Sequence, residues 1–420
     1  MDKNRYMTRR HFLEITSLTA SALVVGCQKT PSQKTQLDLD RFIEDSMQKV
    51  RIPGLSACLV KNDRIVWSKS YGFANLEKKI EMTADHVENI GSISKTFVTT
   101  ALMQLWEKDK FKLHDAINDY LPFEVRNPKY PDLKITFENL LTHTSSIDDG
   151  PAYGMAYACG DPKETLEEWH SAYFTPGGKY CNPEKNFHPW EPGTSRPSDE
   201  SYCNVAFGLL AILVEKLSGC DFEKYCQSNI FQPLDMSNTS WYIKNIDIST
   251  HAVPYTWVEG GKPRGPSWGG RPLGVIGEGG PSWENVAAPD GYVPNCFYNH
   301  PNFPDGFLRC SANQLSKYMR CYLNKGVYDG KRILQDNTIQ TMLTKRNLTC
   351  GLCWWEYKLS NGDIVWGHTG SDPGINNLLM FNPKNGTGTV ILANTNMGEQ
   401  GEIRKEIATR LFEEAKNIRV

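Results

Sequence analysis

Long single-sign charge blocks are missing from this chain. Its 46 Lys and Arg face 48 Asp and Glu, a formal net charge of −2, so nothing in the charge pattern calls for nucleic acid or an anionic surface as a partner. Internal repeats and low-complexity tracts are also missing from the 420 residues. Beyond the N-terminal segment, no apolar run is long enough to span a bilayer. No His/Asp/Glu cluster has metal-ligand spacing, and no cofactor is expected. Cys350-Gly-Leu-Cys353 lacks the second Cys or His pair that zinc would need, so packing or a local disulfide is its expected role. What is plentiful is aromatic side chain, 11% with eleven Trp. That suits a globular protein with clefts and argues against disorder.

The first 27 residues read as an address. Arg9-Arg10 and His11-Phe12-Leu13 precede an apolar run of about a dozen residues, too short for a comfortable membrane span. The pattern resembles a twin-arginine export signal. Val24-Val25-Gly26-Cys27 resembles a lipoprotein cleavage box, making Cys27 the expected lipidation site and the mature protein an exported one, held at a membrane by its N-terminal lipid. Outside the cytoplasm, some of the remaining cysteines are free to pair. Cys159 with Cys181 and Cys296 with Cys310 are the expected staples, because each pair brackets a Gly/Pro/Asn-rich loop.

Residues 28–37 read as a polar tether, and a single domain is expected over 38–417. An amphipathic helix from Leu37 to Met47 carries Leu39, Phe42 and Ile43 on one face and stops before Pro53-Gly54. Two strand-like runs, Leu55–Lys61 and Arg64–Tyr71, are joined by Asn62-Asp63, a hairpin signal. From about 92 to 345 the chain reads as helix and loop, with long Gly/Pro-rich passages at 175–198 and 259–292. It then returns to β over 352–359, 363–367, 374–382 and 387–393, and closes with a helix over 401–416. The expected class is α+β: one antiparallel sheet covered by the N- and C-terminal helices, with a large, mostly helical insert beside it and a groove between the two.

Three short stretches carry chemistry. Ser92 lies three residues before Lys95 at a helix start, and Gly91 precedes it, so the two side chains share a face within reach. A serine hydroxyl needs a base, and lysine serves as one if burial and neighbours lower its pKa. The same spacing at Ser46 and Lys49 has no supporting context. Tyr202-Cys203-Asn204 precedes a strongly apolar helix ending at Gly219 and offers a phenol to shuttle protons. Trp366-Gly367-His368-Thr369-Gly370-Ser371 is expected to end one strand and turn into the next, with the Ser371 and Ser92 N–H groups forming an oxyanion hole. His143, in Leu-Leu-Thr-His-Thr-Ser-Ser, is expected to anchor a turn, Cys203 to be a small buried side chain, and Trp190 and Trp268 to sit on the long loops, lining the groove or packing.

The ordered set of Ser92-Ile-Ser-Lys95, Tyr202-Cys-Asn204 and His368-Thr-Gly370 resembles the penicillin-recognising serine hydrolases: class C β-lactamases, DD-peptidases, family VIII esterases and D-aminopeptidases. Residues 135–147 and 303–319 look familial too. The resemblance implies that Ser92 is acylated while Lys95 and Tyr202 act together as base. It further implies that Asn204 orients substrate or Lys95, and that His368, Thr369, Gly370 and Ser371 line the substrate's path. His368 stands where a Lys is frequent; a His is mostly neutral near pH 7, which weakens recognition of a carboxylate. An ester or a small or D-amino-acid peptide amide is therefore the expected substrate. A β-lactam or cell-wall peptide is the alternative, and a non-catalytic ligand-binding or sensor lipoprotein is the alternative of another class.

Overall fold

The computed structural model describes residues 33–418 except 265–266, 269–270, 273–274, 279, 283–289 and 348–349. The expected export segment and Cys27 lie outside the described residues. The helix α1 runs Gln33–Val50, beginning four residues before the expected start at Leu37. Nothing between Gln33 and Leu37 breaks a helix, and the last Pro lies at 31.

After α1 come the strands β1 (Gly54–Lys61), β2 (Arg64–Asn75), β3 (Ile80–Glu81) and β4 (Val87–Asn89), then the helices α2 (Ser94–Trp106) and α3 (Val205–Ser218). The short strand β5 (Arg309–Ser311) leads into α4 (Ala312–Leu323). The chain closes with β6 (Trp355–Lys358), β7 (Ile364–Asp372), β8 (Ile375–Asn382), β9 (Thr387–Ala393) and α5 (Ile403–Asn417). One seven-stranded antiparallel sheet has the order β6-β7-β8-β9-β1-β2-β3. The hairpin expected at Asn62-Asp63 is present, with both residues at positive φ, 48° and 59°. That backbone matches the twist of the strands it joins.

Alternation along the central strands sends side chains to two cores. Ala57, Leu59, Leu378, Met380 and Ile391 pack against Ile43 of α1 and Ile407 and Leu411 of α5. Their neighbours Cys58, Val60, Leu379, Phe381 and Val390 face Phe97, Leu102 and Met319 of the helical region. A sheet covered on both faces needs apolar residues at successive positions, which is how these strands read.

Three expectations change. The third motif does not turn. Residues 368–371 lie inside β7, paired with β8 from Trp366↔Phe381 to Asp372↔Ile375, and the reversal comes at Pro373-Gly374, where Gly374 has φ +76°. The cysteine pairing also differs. Cys159 bonds Cys296 across 137 residues of chain, because Ala158–Cys159 pairs as a short ladder with Tyr298–Asn299. Cys181 and Cys310 are free, and Cys310 is buried in β5 opposite Glu88 of β4. Cys350 and Cys353 are buried free thiols, which leaves packing as their role. The passage after 255 is less helical than expected. Tyr255–Glu259 pairs with Lys262–Pro263 through Gly260-Gly261 at positive φ, and with Gly291–Pro294 on its other side.

Candidate active site

Ser92 sits in a single 3-10 turn, Gly91–Ile93, that feeds directly into α2. Gly91 has φ +55°, and a Cβ there would fall 2.9 Å from the Ser371 nitrogen. A Cβ on Gly370 would fall 2.0 Å from the Ile90 carbonyl oxygen. The two glycines therefore let the turn and β7 touch backbone to backbone, and they place the Ser371 amide beside the Ser92 turn. The turn is pinned by Gly91 N donating to Asn89 Oδ1 (2.8 Å) and by Ser94 Oγ donating to the Gly91 carbonyl (2.6 Å). The threonines that follow are buried without cost because each hydroxyl donates back into the helix: Thr96 to Ile93 O, Thr99 to Lys95 O, Thr100 to Thr96 O.

Lys95 is fully buried, and its ammonium is saturated. Nζ donates to Ser92 Oγ (3.1 Å), Asn204 Oδ1 (2.6 Å) and the Asp305 carbonyl (2.8 Å), and lies 3.5 Å from Asp305 Oδ2. It also lies 5.0 Å from the centre of the Tyr202 ring, and the Tyr202 phenol interacts with the side chains of both Ser92 and Lys95. The first two motifs are thus brought together around Ser92.

One electrostatic expectation is reversed. Burial disfavours the Lys95 ammonium, but Tyr202 and the carboxylates of Asp305 and Asp149 outweigh it, so the pKa is held above its ordinary value. Burial raises the Tyr202 phenol as well, against the pull of Lys95 and Ser92. The site therefore holds an ammonium beside a neutral phenol, two groups that titrate as a pair.

His368 is buried, and its Nδ1 donates to the Thr369 carbonyl (2.6 Å). Burial, and then the Lys95 charge, push its pKa down to about 3, so it is a neutral imidazole whose Nε2 has no hydrogen-bond partner. The cation next to the third motif comes from α5: Arg404 Nη1 donates to Ser371 Oγ (3.1 Å) and to the Asn377 carbonyl (3.1 Å). His143 anchors as expected. At φ +55° it accepts from Cys203 N (3.1 Å) and stacks on Tyr202 at 4.3 Å between ring centres. Cys203 is small and buried, as expected. Trp190 stacks on His188 (4.1 Å) and against Arg196, and is not among the residues lining the cavity at Ser92. The Trp268 side chain lies outside the described residues.

Several carboxylates went unassigned in the motif reading. Asp149 Oδ1 accepts from the backbone N–H groups of Asn204 (2.8 Å) and Val205 (2.9 Å), and its Oδ2 accepts from Asn204 Nδ2 (2.5 Å). It caps α3, where a negative charge is favoured, and it turns the Asn204 amide so that Oδ1 faces Lys95. Asp305 and Asp372 line a small cavity of about 10 Å³ that opens on Ser92. Asp305 sat inside the 303–319 stretch and Asp372 directly after Ser371, but a lone Asp in a loop or at a strand end has no periodic signal.

With this geometry in place, the Beta-lactamase family model matches residues 39–413. The chain belongs to that family. Protein flp of Staphylococcus aureus is 22% identical over 364 residues, 86% of this chain and 64% of the relative; the chain thus spans less than two thirds of that relative's length. Beta-lactamase-like protein 2 of Dictyostelium discoideum is 25% identical, over 80% of this chain and 52% of its own. The D-amino acid amidase of Ochrobactrum anthropi SV3 superposes with TM-score 0.70 at 18% identity, covering 91% of this chain and 99% of the amidase. The octameric penicillin-binding protein homologue of Pyrococcus abyssi superposes with TM-score 0.69 at 23% identity, covering 90% and 77%. These likenesses describe a shared fold.

Proposed function

We propose that the chain is a serine hydrolase that works through an acyl-enzyme on esters or small or D-amino-acid amides. The observation that carries this reading is the buried Lys95 Nζ, 3.1 Å from Ser92 Oγ and shared with Asn204, Asp305 and the Tyr202 phenol. In the first step Ser92 Oγ bonds to the carbonyl carbon, and its proton passes into the Lys95–Tyr202 pair. The carbonyl oxygen gathers negative charge between the Ser92 and Ser371 amides. The pair then gives its proton to the leaving amine or alcohol as that bond breaks. Water repeats the sequence in reverse and frees Ser92.

Because the resting pair is fully protonated, it must lose one proton before it accepts another. The neutral His368 supports a substrate without a carboxylate at that position, and this favours the ester or amide over a β-lactam. Hydrolysis of p-nitrophenyl esters and of D- and L-amino-acid p-nitroanilides, set against a chromogenic cephalosporin, tests the reading. Ester or anilide turnover that disappears in Ser92→Ala supports it; fast cephalosporin turnover with slow esters shifts it to a β-lactamase. Turnover retained by Ser92→Ala overturns the nucleophile. The export signal and lipobox support a lipid-anchored protein outside the cytoplasm, and loss of fatty-acid labelling in Cys27→Ser tests that.

A further inference from the structure

The cavity that opens on Ser92 combines two features that a neutral or anionic acyl group does not use. Its wall is aromatic: Tyr153 and Tyr157 meet edge to face at 6.0 Å, and Tyr157 meets Phe307 at 5.4 Å. Set into that wall are two buried carboxyl groups. Asp305 Oδ2 accepts from Tyr153 Oη (2.7 Å), and Asp372 Oδ1 accepts from Tyr157 Oη (3.0 Å). Among the described residues lining the cavity there is no Lys or Arg.

Asp305 is not used up by the fold, whereas the second oxygen of Asp372 accepts from Asn89 Nδ2 (3.4 Å). Asp305 Oδ1 is buried and makes no hydrogen bond of normal geometry, although the Asn302 amide acts on this carboxyl and favours its charge. An isolated ammonium cannot balance three buried carboxyl groups, and Lys95 faces Asp149, Asp305 and Asp372 together. Burial accordingly raises Asp305 to about 6 and Asp372 well above the usual carboxylate range. An arriving cation relieves that condition, because opposite charge favours the ionised carboxylate. Aromatic faces add to the attraction.

We infer that this cavity receives a protonated amine on the acyl side of the substrate, so that the preferred substrate class is an amide or ester of an amino acid with a free amino group. The inference rests on the hydrolase reading above and sharpens it. Asp305 and Asp372 take the ammonium, and Tyr153, Tyr157 and Phe307 enclose it. With about 10 Å³ of free space, room for one water-sized group, the cavity fits the ammonium of a small acyl group such as alanyl and little more. An acyl group bearing a carboxylate finds no Lys or Arg among the described residues that line it.

The test compares three p-nitroanilides of similar shape: alanine (both enantiomers), isobutyric acid, in which a methyl replaces the ammonium, and succinic acid. For the wild type, kcat/KM is expected to favour one alanyl enantiomer over isobutyryl by roughly tenfold or more, with succinyl poorest. In Asp372→Asn that ratio is expected to collapse by a similar factor, whatever the absolute rate. Fluorophosphonate labelling of the wild type serves as a second measurement that needs no variant: alaninamide is expected to slow labelling at concentrations where isobutyramide does not. A labelled enzyme that handles isobutyryl as well as alanyl, or an unchanged ratio in Asp372→Asn, overturns the amine subsite and leaves the hydrolase intact. Absence of any label on the wild type overturns both.

Discussion

The two walls that meet at Ser92 treat charge in opposite ways. On the α2–α3 wall, an ammonium and two carboxyls are buried together and interlocked: Lys95 with Asn204 and Asp305, Asn204 with Asp149. On the β7 wall, His368 is uncharged with an idle Nε2, Asp372 is a buried carboxyl bonded to Tyr157, and the nearby cation, Arg404, is tied to Ser371 and to backbone carbonyls. Buried charge persists only where it is paired and hydrogen-bonded. The first wall is therefore built to hold and move protons, and the second to shape the substrate's path without binding an anion.

The most severe way to break this contrast is to remove the ammonium. Lys95→Ala is expected to lower kcat/KM by about 10³-fold, the range of general-base catalysis, while circular dichroism shows a folded chain. A milder break acts through Asn204. Asp149→Ala leaves three buried donors without an acceptor and is expected to cost about 2–3 kcal/mol of stability in denaturant titration, with a roughly 10–100-fold loss of activity. Asp149→Asn keeps the shape but removes a charge that holds Lys95 protonated. In the wild type, kcat/KM should still be rising in the alkaline range, because the raised Lys95 pKa keeps the pair protonated at neutral pH. The rising limb should move to lower pH in Asp149→Asn, a shift that a purely structural role would not produce.

Smaller again is His143→Phe, which keeps a ring stacked on Tyr202 but loses the acceptor for Cys203 N. About tenfold in kcat and about 1–2 kcal/mol of stability are expected, read by kinetics and thermal unfolding. The smallest effect should come from sharpening the contrast's other side. His368→Lys places a cation on the β7 wall and is expected to improve succinyl over isobutyryl hydrolysis by only a few-fold, since Lys95 opposes a second ammonium nearby.

Much of this was legible because it is local. The Asn62-Asp63 hairpin, the cap of α3 by Gly219 at φ +69° and the successive apolar residues of β8 and β9 each declare themselves within a few positions. The three motifs were legible as an ordered set. What failed was non-local. Cys159 pairs with Cys296 because two short strands meet far apart in sequence, a placement that loop composition does not encode. Residues 368–371 look like a turn for their glycines, yet those glycines serve close approach of β7 to residues 90–91. The sign of the Lys95 shift depends on Asp149 and Asp305, single acids whose positions only the fold brings together.

The central claim is that Ser92 is the nucleophile and that Lys95 and Tyr202 make it one. Treating the protein with a fluorophosphonate and mapping the modified peptide by mass spectrometry tests it most directly. One adduct per chain, on Ser92, formed more slowly in Tyr202→Phe and Lys95→Ala, is the predicted result. Adduct on another residue, or equal labelling rates in all three proteins, would contradict it.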